Sequence, residues 1–197
     1  MLYHELDLIQ NTPEWEDWRF AGIGASDAPS IMGENNFKSS GKLLYEKLNR
    51  INPPLNEKMV LGSRLEGTAR EKYAQKYGVE LAPLCVQSVE YPWLRASLDA
   101  ITPSRDHLVE IKCGESAYAQ AKKGKVPDYY FGQLQHQLQL TGLQEIHYWC
   151  YLPDQPGIRI VVKHDERYIL RLFEAEMAFY KRMSAPLNSR AQLQFEL

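Results

Sequence analysis

The chain has 197 residues, of which 44% are hydrophobic and 24% charged, enough apolar mass for one domain with a sizeable core. A formal charge of −2 excludes a globally basic nucleic-acid binder, although a local basic channel remains compatible with it. Without an eighteen-residue apolar run, a basic-then-apolar leader or closely spaced cysteines (Cys85, Cys113 and Cys150 lie far apart), the sequence predicts a soluble cytoplasmic protein with no membrane span, disulfide framework or thiolate metal cage.

A single domain over residues 1–197 is expected, because no repeat or long linker appears and the proline-rich stretch 51–55 is too short to separate two units. The first half reads as helical at 13–19, 26–32 and 40–48, followed by a long helix over 56–77 that Gly78 closes. Strands then follow in a meander at 79–81, 86–91, 95–101 and 108–113, with Pro103 and Asp106 marking the last turn. A helix starting at Pro127 ends at Gly142, and strands at 146–152 and 159–163 flank a turn. The helix at 165–183 places Ile169, Leu172, Phe173, Met177 and Tyr180 on one side, and 184–197 reads as a tail. Helices first, then a mixed sheet with helices on it, predict an α/β or mixed α+β fold rather than a helical bundle.

The chemistry concentrates in the segment SLDAITPSRDHLVEIKCGE, where Asp99 ends one strand and Glu110 and Lys112 share a face of the next. A hairpin return brings Asp99 beside Glu110, while Ile111 faces the other way and offers its backbone carbonyl. Two carboxylates and a carbonyl are the oxygen set that Mg²⁺ accepts, with room left for waters and a phosphate oxygen. Such a metal would acidify a water and neutralise charge on phosphorus, with Lys112 orienting that water or steadying the transition state. The competing reading is a turn aspartate beside a solvated cross-strand pair. Against it, Glu110 and Lys112 interrupt an apolar strand, and buried charge needs a partner or a metal.

The segments WEDWRFAGIGASDA, LGSRLEGTAREKY, RASLDAI, LVEIKC and YYFGQLQHQLQLTG, in that order, resemble the lambda exonuclease and YqaJ-type viral recombinase nucleases of the PD-(D/E)xK superfamily. One departure is that the nominal Pro-Asp reads Leu98-Asp99. The resemblance implies a central mixed β-sheet flanked by helices, with Asp99, Glu110 and the Ile111 carbonyl as metal ligands and Lys112 as catalytic lysine. It further implies that Glu66 supports the metal or its waters. The family's glutamine motif aligns with Gln133 and Gln135. Because Gln135 shares a helix face with Gln139 and Gln133 with Gln137, only one pair can look into a cleft, and Gln135 is preferred.

The segment RFAGIGASDAPSIMG reads as an anion site: Arg19, a flexible turn through Gly22 and Gly24, and Ser26 as N-cap of a helix with Pro29 in its first turn. An ordinary capped helix would have the same composition. The resemblance implies that Arg19 and Ser26, with Ser97 and Gln133, grip a terminal 5′ phosphate, hence a 5′-to-3′ direction. It also implies Mg²⁺ with Mn²⁺ as substitute, two ions per site and double-stranded DNA as substrate. The products are mononucleotides and 3′ overhangs for recombination, made by a toroidal homotrimer with a single-strand annealing protein as partner in a bacterial or phage setting. The competing functions are an endonuclease on the same core and a DNA-binding module that has lost activity. Three cysteines cannot supply a four-cysteine iron–sulfur cluster.

Lys122, Lys123 and Lys125 form a short basic loop. The four tryptophans are candidates for the core or for base stacking, and Tyr118, Tyr129 and Tyr130 fall near the expected cleft. The five histidines show no metal-ligand spacing.

Overall fold

The computed structural model describes residues 2–54 and 57–195, the side chains of 58, 59 and 186–195 excepted. Six strands lie side by side in the order in which the chain makes them: β1 (Tyr3–Leu6), β2 (Ala82–Ser88), β3 (Arg95–Ile101), β4 (Leu108–Lys112), β5 (Glu145–Cys150) and β6 (Ile158–Lys163). All neighbours run antiparallel except β4 and β5, which pair in parallel from Val109↔His147 to Lys112↔Cys150. A parallel pair needs a crossover, and the chain spends it on two helices, α5 (Glu115–Ala121) and α6 (Asp128–Thr141). The mixed sheet flanked by helices is the α/β fold expected.

The remaining helices are α1 (Pro13–Phe20), α2 (Ala28–Ile31), α3 (Ser40–Asn49), α4 (Glu57–Tyr77) and α7 (Glu166–Phe195). Thr12 caps α1 through the Trp15 N–H and Ser39 caps α3 through the Lys42 N–H, which satisfies donors that the first turn leaves free. The expected start of the long helix at Asn56 lies outside the described residues.

One face of the sheet packs Ala100, Val109, Ile111 and Trp149 against Ala69 and Tyr73 of α4. The other face carries the larger core, in which Leu98, Leu108, Ile146 and Tyr148 meet Leu134 and Leu138 of α6 and Ile169 and Phe179 of α7. Trp93 stacks on Phe173 and Tyr180 of α7 at 5.9 and 5.2 Å between ring centroids, so the apolar side read for this helix does face the sheet.

Five readings change. No strand forms at 79–81: Gly78 takes φ +67°, and the N–H groups of Gly78 and Val79 both return to the Ala74 carbonyl, so this stretch closes α4 instead. β1 and α5 were not foreseen, because YHEL is short and half-exposed and ESAYAQA is rich in small residues without a clear period. The tail at 184–197 continues α7 as far as Phe195. Ser26 is not an N-cap; it sits exposed in a 3-10 turn, Ala25–Asp27, whose N-cap is Gly24, its N–H donating to the Asp27 carboxylate at 2.9 Å.

Candidate active site

The site forms where β3 stops pairing with β4. Between Leu84 and Ala82 on β2 the partner on β3 advances from Leu98 to Ile101, so β3 holds one extra residue at 99–100. A bulge of this kind re-aims a side chain. The β3–β4 pairs end at Ala100↔Val109, and beyond them the Asp99 carboxylate takes over, Oδ2 accepting the Ile111 N–H at 2.9 Å. Asp99 is therefore tied to the strand that carries Glu110 and Lys112. The bulge explains why Asp99 does not simply alternate with Leu98 and Ala100.

Glu110 is buried and its two oxygens are gripped from three sides. Oε1 accepts from Lys112 Nζ and from Gln133 Nε2 (2.6 Å), and Oε2 accepts from Gln137 Nε2 (2.5 Å). Lys112 also lies 4.8 Å from the Tyr130 ring centroid, a cation–π contact that holds the ammonium at the rim. Glu66 comes from α4: its Oε1 accepts from Arg70 Nη2 at 2.8 Å, and Arg70 Nε donates to the Asp99 carbonyl at the same distance. Arg70 was not singled out in the sequence, although its spacing of four residues from Glu66 on a helix was a usable signal.

Burial raises the Asp99 carboxyl well above the usual range, reinforced by the negative charges of Glu110 and Glu66 and only partly opposed by Lys112 and the Ile111 N–H. Burial alone would lower the Lys112 ammonium, but Glu110 and Asp99 outweigh it and hold it raised. Among the described residues no three His, Cys, Asp or Glu side chains close around one point as a finished cage. The donor set still fits a hard divalent cation. Asp99, Glu110 and Glu66 set three carboxylates against two cations, Lys112 on Glu110 and Arg70 on Glu66, and no cation pairs with the Asp99 carboxylate among the described residues. A magnesium ion would relieve that repulsion while keeping several waters.

Both glutamine assignments change. Gln135 points away from the carboxylates: its Nε2 donates to the Lys163 carbonyl (2.8 Å) and its Oε1 accepts the Asp165 N–H (2.9 Å), joining the end of β6 to the start of α7. Gln133, read as a phosphate ligand, lies on Glu110 instead, and Gln137 joins it from the same face of α6. The face pairing was read correctly and the choice of face was not.

The anion-site residues are only partly assembled. Arg19 Nη1 donates to Asn52 at 3.2 Å and its guanidinium packs 5.5 Å from the Trp15 ring; Trp15 Nε1 in turn donates to Ser97 Oγ at 2.8 Å. Arg19 and Ser97 are thus linked through Trp15, with Ser97 two residues along β3 from Asp99, while among the described residues no hydrogen bond or ion pair ties Ser26 to them. The expected flexible turn is in fact anchored. Ile23 bridges Leu94 through Ile23 N–H to Trp93 carbonyl at 2.7 Å, and Lys47 donates to the carbonyls of Arg19 and Gly22 while pairing with buried Asp27 at 2.6 Å. All four tryptophans have structural partners, since Trp18 donates to Gln87 and Trp149 to the Ala69 carbonyl. Tyr118 is likewise committed, to the Pro156 carbonyl.

A second polar cluster was missed because its members are far apart in sequence. On the α4 side, the Tyr73 hydroxyl lies between His107 Nε2 (2.6 Å) and His147 Nδ1, and His147 Nε2 faces Glu145 at 3.4 Å.

The six-stranded mixed sheet with its flanking helices matches the fold of an alkaline exonuclease. The alkaline exonuclease of Laribacter hongkongensis, LHK-Exo, matches with a TM-score of 0.77 at 22% identity, over 94% of this chain and 99% of that one, as does the same protein in complex with dAMP. A phage-related exonuclease from Haemophilus somnus 129PT matches with a TM-score of 0.64 at 15% identity, over 89% and 99% of the two chains. These likenesses establish the fold.

The chain belongs to the YqaJ-like viral recombinase domain family, whose model matches residues 14–144 and so includes every candidate site residue. The uncharacterized protein YqaJ of Bacillus subtilis (strain 168) is 25% identical over 175 residues, covering 85% of this chain. This chain spans about half, 54%, of that relative's length. No helix among the described residues is long and apolar enough to cross a membrane.

Proposed function

We propose that the protein is a Mg²⁺-dependent deoxyribonuclease that degrades double-stranded DNA from 5′ ends, releasing 5′-mononucleotides and leaving 3′ single strands. The observation that carries this reading is the bulge at Asp99, which joins its carboxylate to the strand bearing Glu110 and Lys112. Support comes also from the exonuclease fold and from the recombinase family. The dAMP complexed with the Laribacter exonuclease is a mononucleotide of the product class proposed.

Asp99, Glu110 and the Ile111 carbonyl would hold the cation, with Glu66 near enough to serve its waters or a second ion. When bound, Mg²⁺, or Mn²⁺ in its place, supplies a more acidic water and neutralises charge on the phosphoryl group. The chain's own residues do the rest. Lys112, kept charged by its carboxylate neighbours, can donate to the attacking water or to a phosphoryl oxygen as charge builds there. Gln133 and Gln137 fix the rotation of the Glu110 carboxylate, and Arg70 holds the bulge. Arg19, with Ser97 behind Trp15, supplies the cation and hydroxyl for a terminal 5′ phosphate, and Ser26, exposed on the turn that follows Arg19, supplies a further hydroxyl. A toroidal homotrimer on the duplex and a single-strand annealing protein receiving the 3′ strand are parts of the same proposal, as is a cytoplasmic setting.

The test is digestion of linear duplex labelled at either terminus, bearing 5′ phosphate or 5′ hydroxyl, beside closed circles and with Mg²⁺ or EDTA. Mg²⁺-dependent loss from phosphorylated 5′ ends with intact circles is expected. Cut circles would replace the reading with an endonuclease, and no cutting at all would replace it with a binding module.

A further inference from the structure

The aromatic side chains beside Lys112 do not stop at Tyr130. Tyr130 lies 4.6 Å from Tyr129 between ring centroids, and Tyr129 meets Phe37 edge-on at 5.9 Å. Phe37 is 80% exposed, the most exposed large hydrophobic side chain among the described residues. A single apolar side chain on a surface is ordinary. This one is held in place. Its N–H donates to Asn35 Oδ1 at 2.8 Å, Asn35 Nδ2 donates to Ser30 at 3.1 Å, and the next residue, Lys38, pairs with Glu46 at 2.6 Å. The braced turn presents a phenyl ring to solvent at the open end of a row of rings that begins at the lysine of the site. Lys122, Lys123 and Lys125 are exposed in the turn just before α6, whose first turn carries Tyr129.

We propose that Phe37 and Tyr129 form a base-stacking platform for the DNA strand whose phosphate lies at the Asp99, Glu110 and Lys112 centre. The proposal rests on the nuclease reading and specifies how that site receives its substrate. Every base offers a π face, so stacking on a phenyl or phenol ring holds a strand without reading its sequence, as a general exonuclease requires. Basic side chains on the adjoining turn would follow the backbone of the same strand. A terminal base drawn onto Phe37 leaves its complement, which opens the end of the duplex at the point where the phosphate must reach the carboxylates.

The experiment uses the full chain with Lys112→Ala, to prevent cleavage, and duplex DNA carrying 5-iodouracil at each of the first six positions from the 5′ end. Irradiation should cross-link Phe37 or Tyr129 to a base near that end, mapped by mass spectrometry. Phe37→Ala and Tyr129→Ala should each weaken DNA binding about tenfold, within the range of single stacking contacts. Phe37→Trp should restore affinity and Phe37→Leu should not, because leucine keeps the apolar surface and lacks the π face. Unchanged affinity in both alanine variants, full function in Phe37→Leu, or cross-links confined to other residues would overturn the platform. So would dissociation of assembled copies on Phe37→Ala, since the ring would then belong to a contact between subunits. Wild-type digestion separates the two ideas: if it proceeds while the platform variants bind normally, only the platform falls; if no DNA is digested, the nuclease reading falls and the affinity series still decides the platform.

Discussion

Gln133, Gln135 and Gln137 are chemically identical and do different work according to which neighbour each meets. Gln137→Ala frees one oxygen of Glu110, and we expect Mg²⁺ affinity to fall by roughly ten- to a hundredfold, the usual effect of losing a group that orients a metal ligand. Calorimetric titration with Mg²⁺ checks this. Gln135→Ala should instead leave the metal titration and the cleavage rate alone and lower stability by about 1 kcal/mol, because the part-buried Lys163 carbonyl and Asp165 N–H lose the partner that joins β6 to α7. If the cleavage rate followed Gln135 and not Gln137, the assignment made from the geometry would be wrong. Lys112→Ala should slow cleavage by at least about a hundredfold while the far-UV circular dichroism stays that of the folded wild type, since it removes transition-state charge stabilisation without opening a core cavity. Cleavage at the wild-type rate would remove Lys112 from the mechanism. Asp99, Glu110 and Lys112 were singled out by their spacing together with the charged interruption of an apolar strand and the family resemblance. Spacing was not enough for the glutamines, because α6 is buried on both of its faces: Gln135, Gln137 and Gln139 are all buried, so no polar face marks the cleft side.

The elements around the site are positioned by close approach as much as by periodicity. Gly22 is buried where the turn after α1 crosses the start of β3, and an added Cβ would lie 2.6 Å from the Trp93 carbonyl and collide with the Arg95 side chain. Gly22→Ala should therefore destabilise the protein by about 1–3 kcal/mol, as overpacking does, and reduce the preference for phosphorylated 5′ ends, because Arg19 enters that turn. Thermal melting and competition between 5′-phosphate and 5′-hydroxyl duplexes measure the two effects; a variant that melts like wild type would mean the turn can shift freely. Sequence suggested a flexible loop there, from the two glycines. The glycine at 22 serves close packing instead, with Lys47 and Asp27 bonded beneath it. The bulge in β3 was equally hidden, since it appears only as a mismatch in register against β2, a strand whose pairing depends on residues far along the chain.

For the molecule as a whole, the buried histidines predict how stability responds to pH. His147 is pushed down to about 4, first by burial and then by the positive charges of His107 and Arg159, and His107 is also lowered. The fold thus prefers the neutral ring. Its contribution is fully present above about 6.5, the value expected of the unfolded chain, and is lost as pH falls from there through about 4. His136 acts in the opposite direction. Burial lowers it, but the Glu176 carboxylate at 2.6 Å outweighs that and holds it raised, so its contribution is present below about 6.5 and is lost as pH rises through its folded value. Melting curves between pH 7 and 4 should show falling stability, and His147→Gln should flatten that fall; an identical slope in the variant would exclude His147 as its source. Both histidines connect elements that only the folded chain brings together, His136 on α6 with α7, and His147 on β5 with Tyr73 of α4.

The sequence by itself determined the helices with clear caps and periods, the β3–β4 hairpin, and the carboxylates and lysine on it. Each of those depends on residues close together in the chain, where side-chain period and turn chemistry act locally. The tertiary structure alone decided which face of α6 looks into the site, where the ladder yields to the Asp99 carboxylate, and that Arg70 braces the bulge from α4. It also decided that Phe37 stands beside Tyr129 at the end of the row of rings. Those outcomes depend on contacts between distant segments, which local periodicity cannot encode because the same pattern is compatible with either face until a partner covers one.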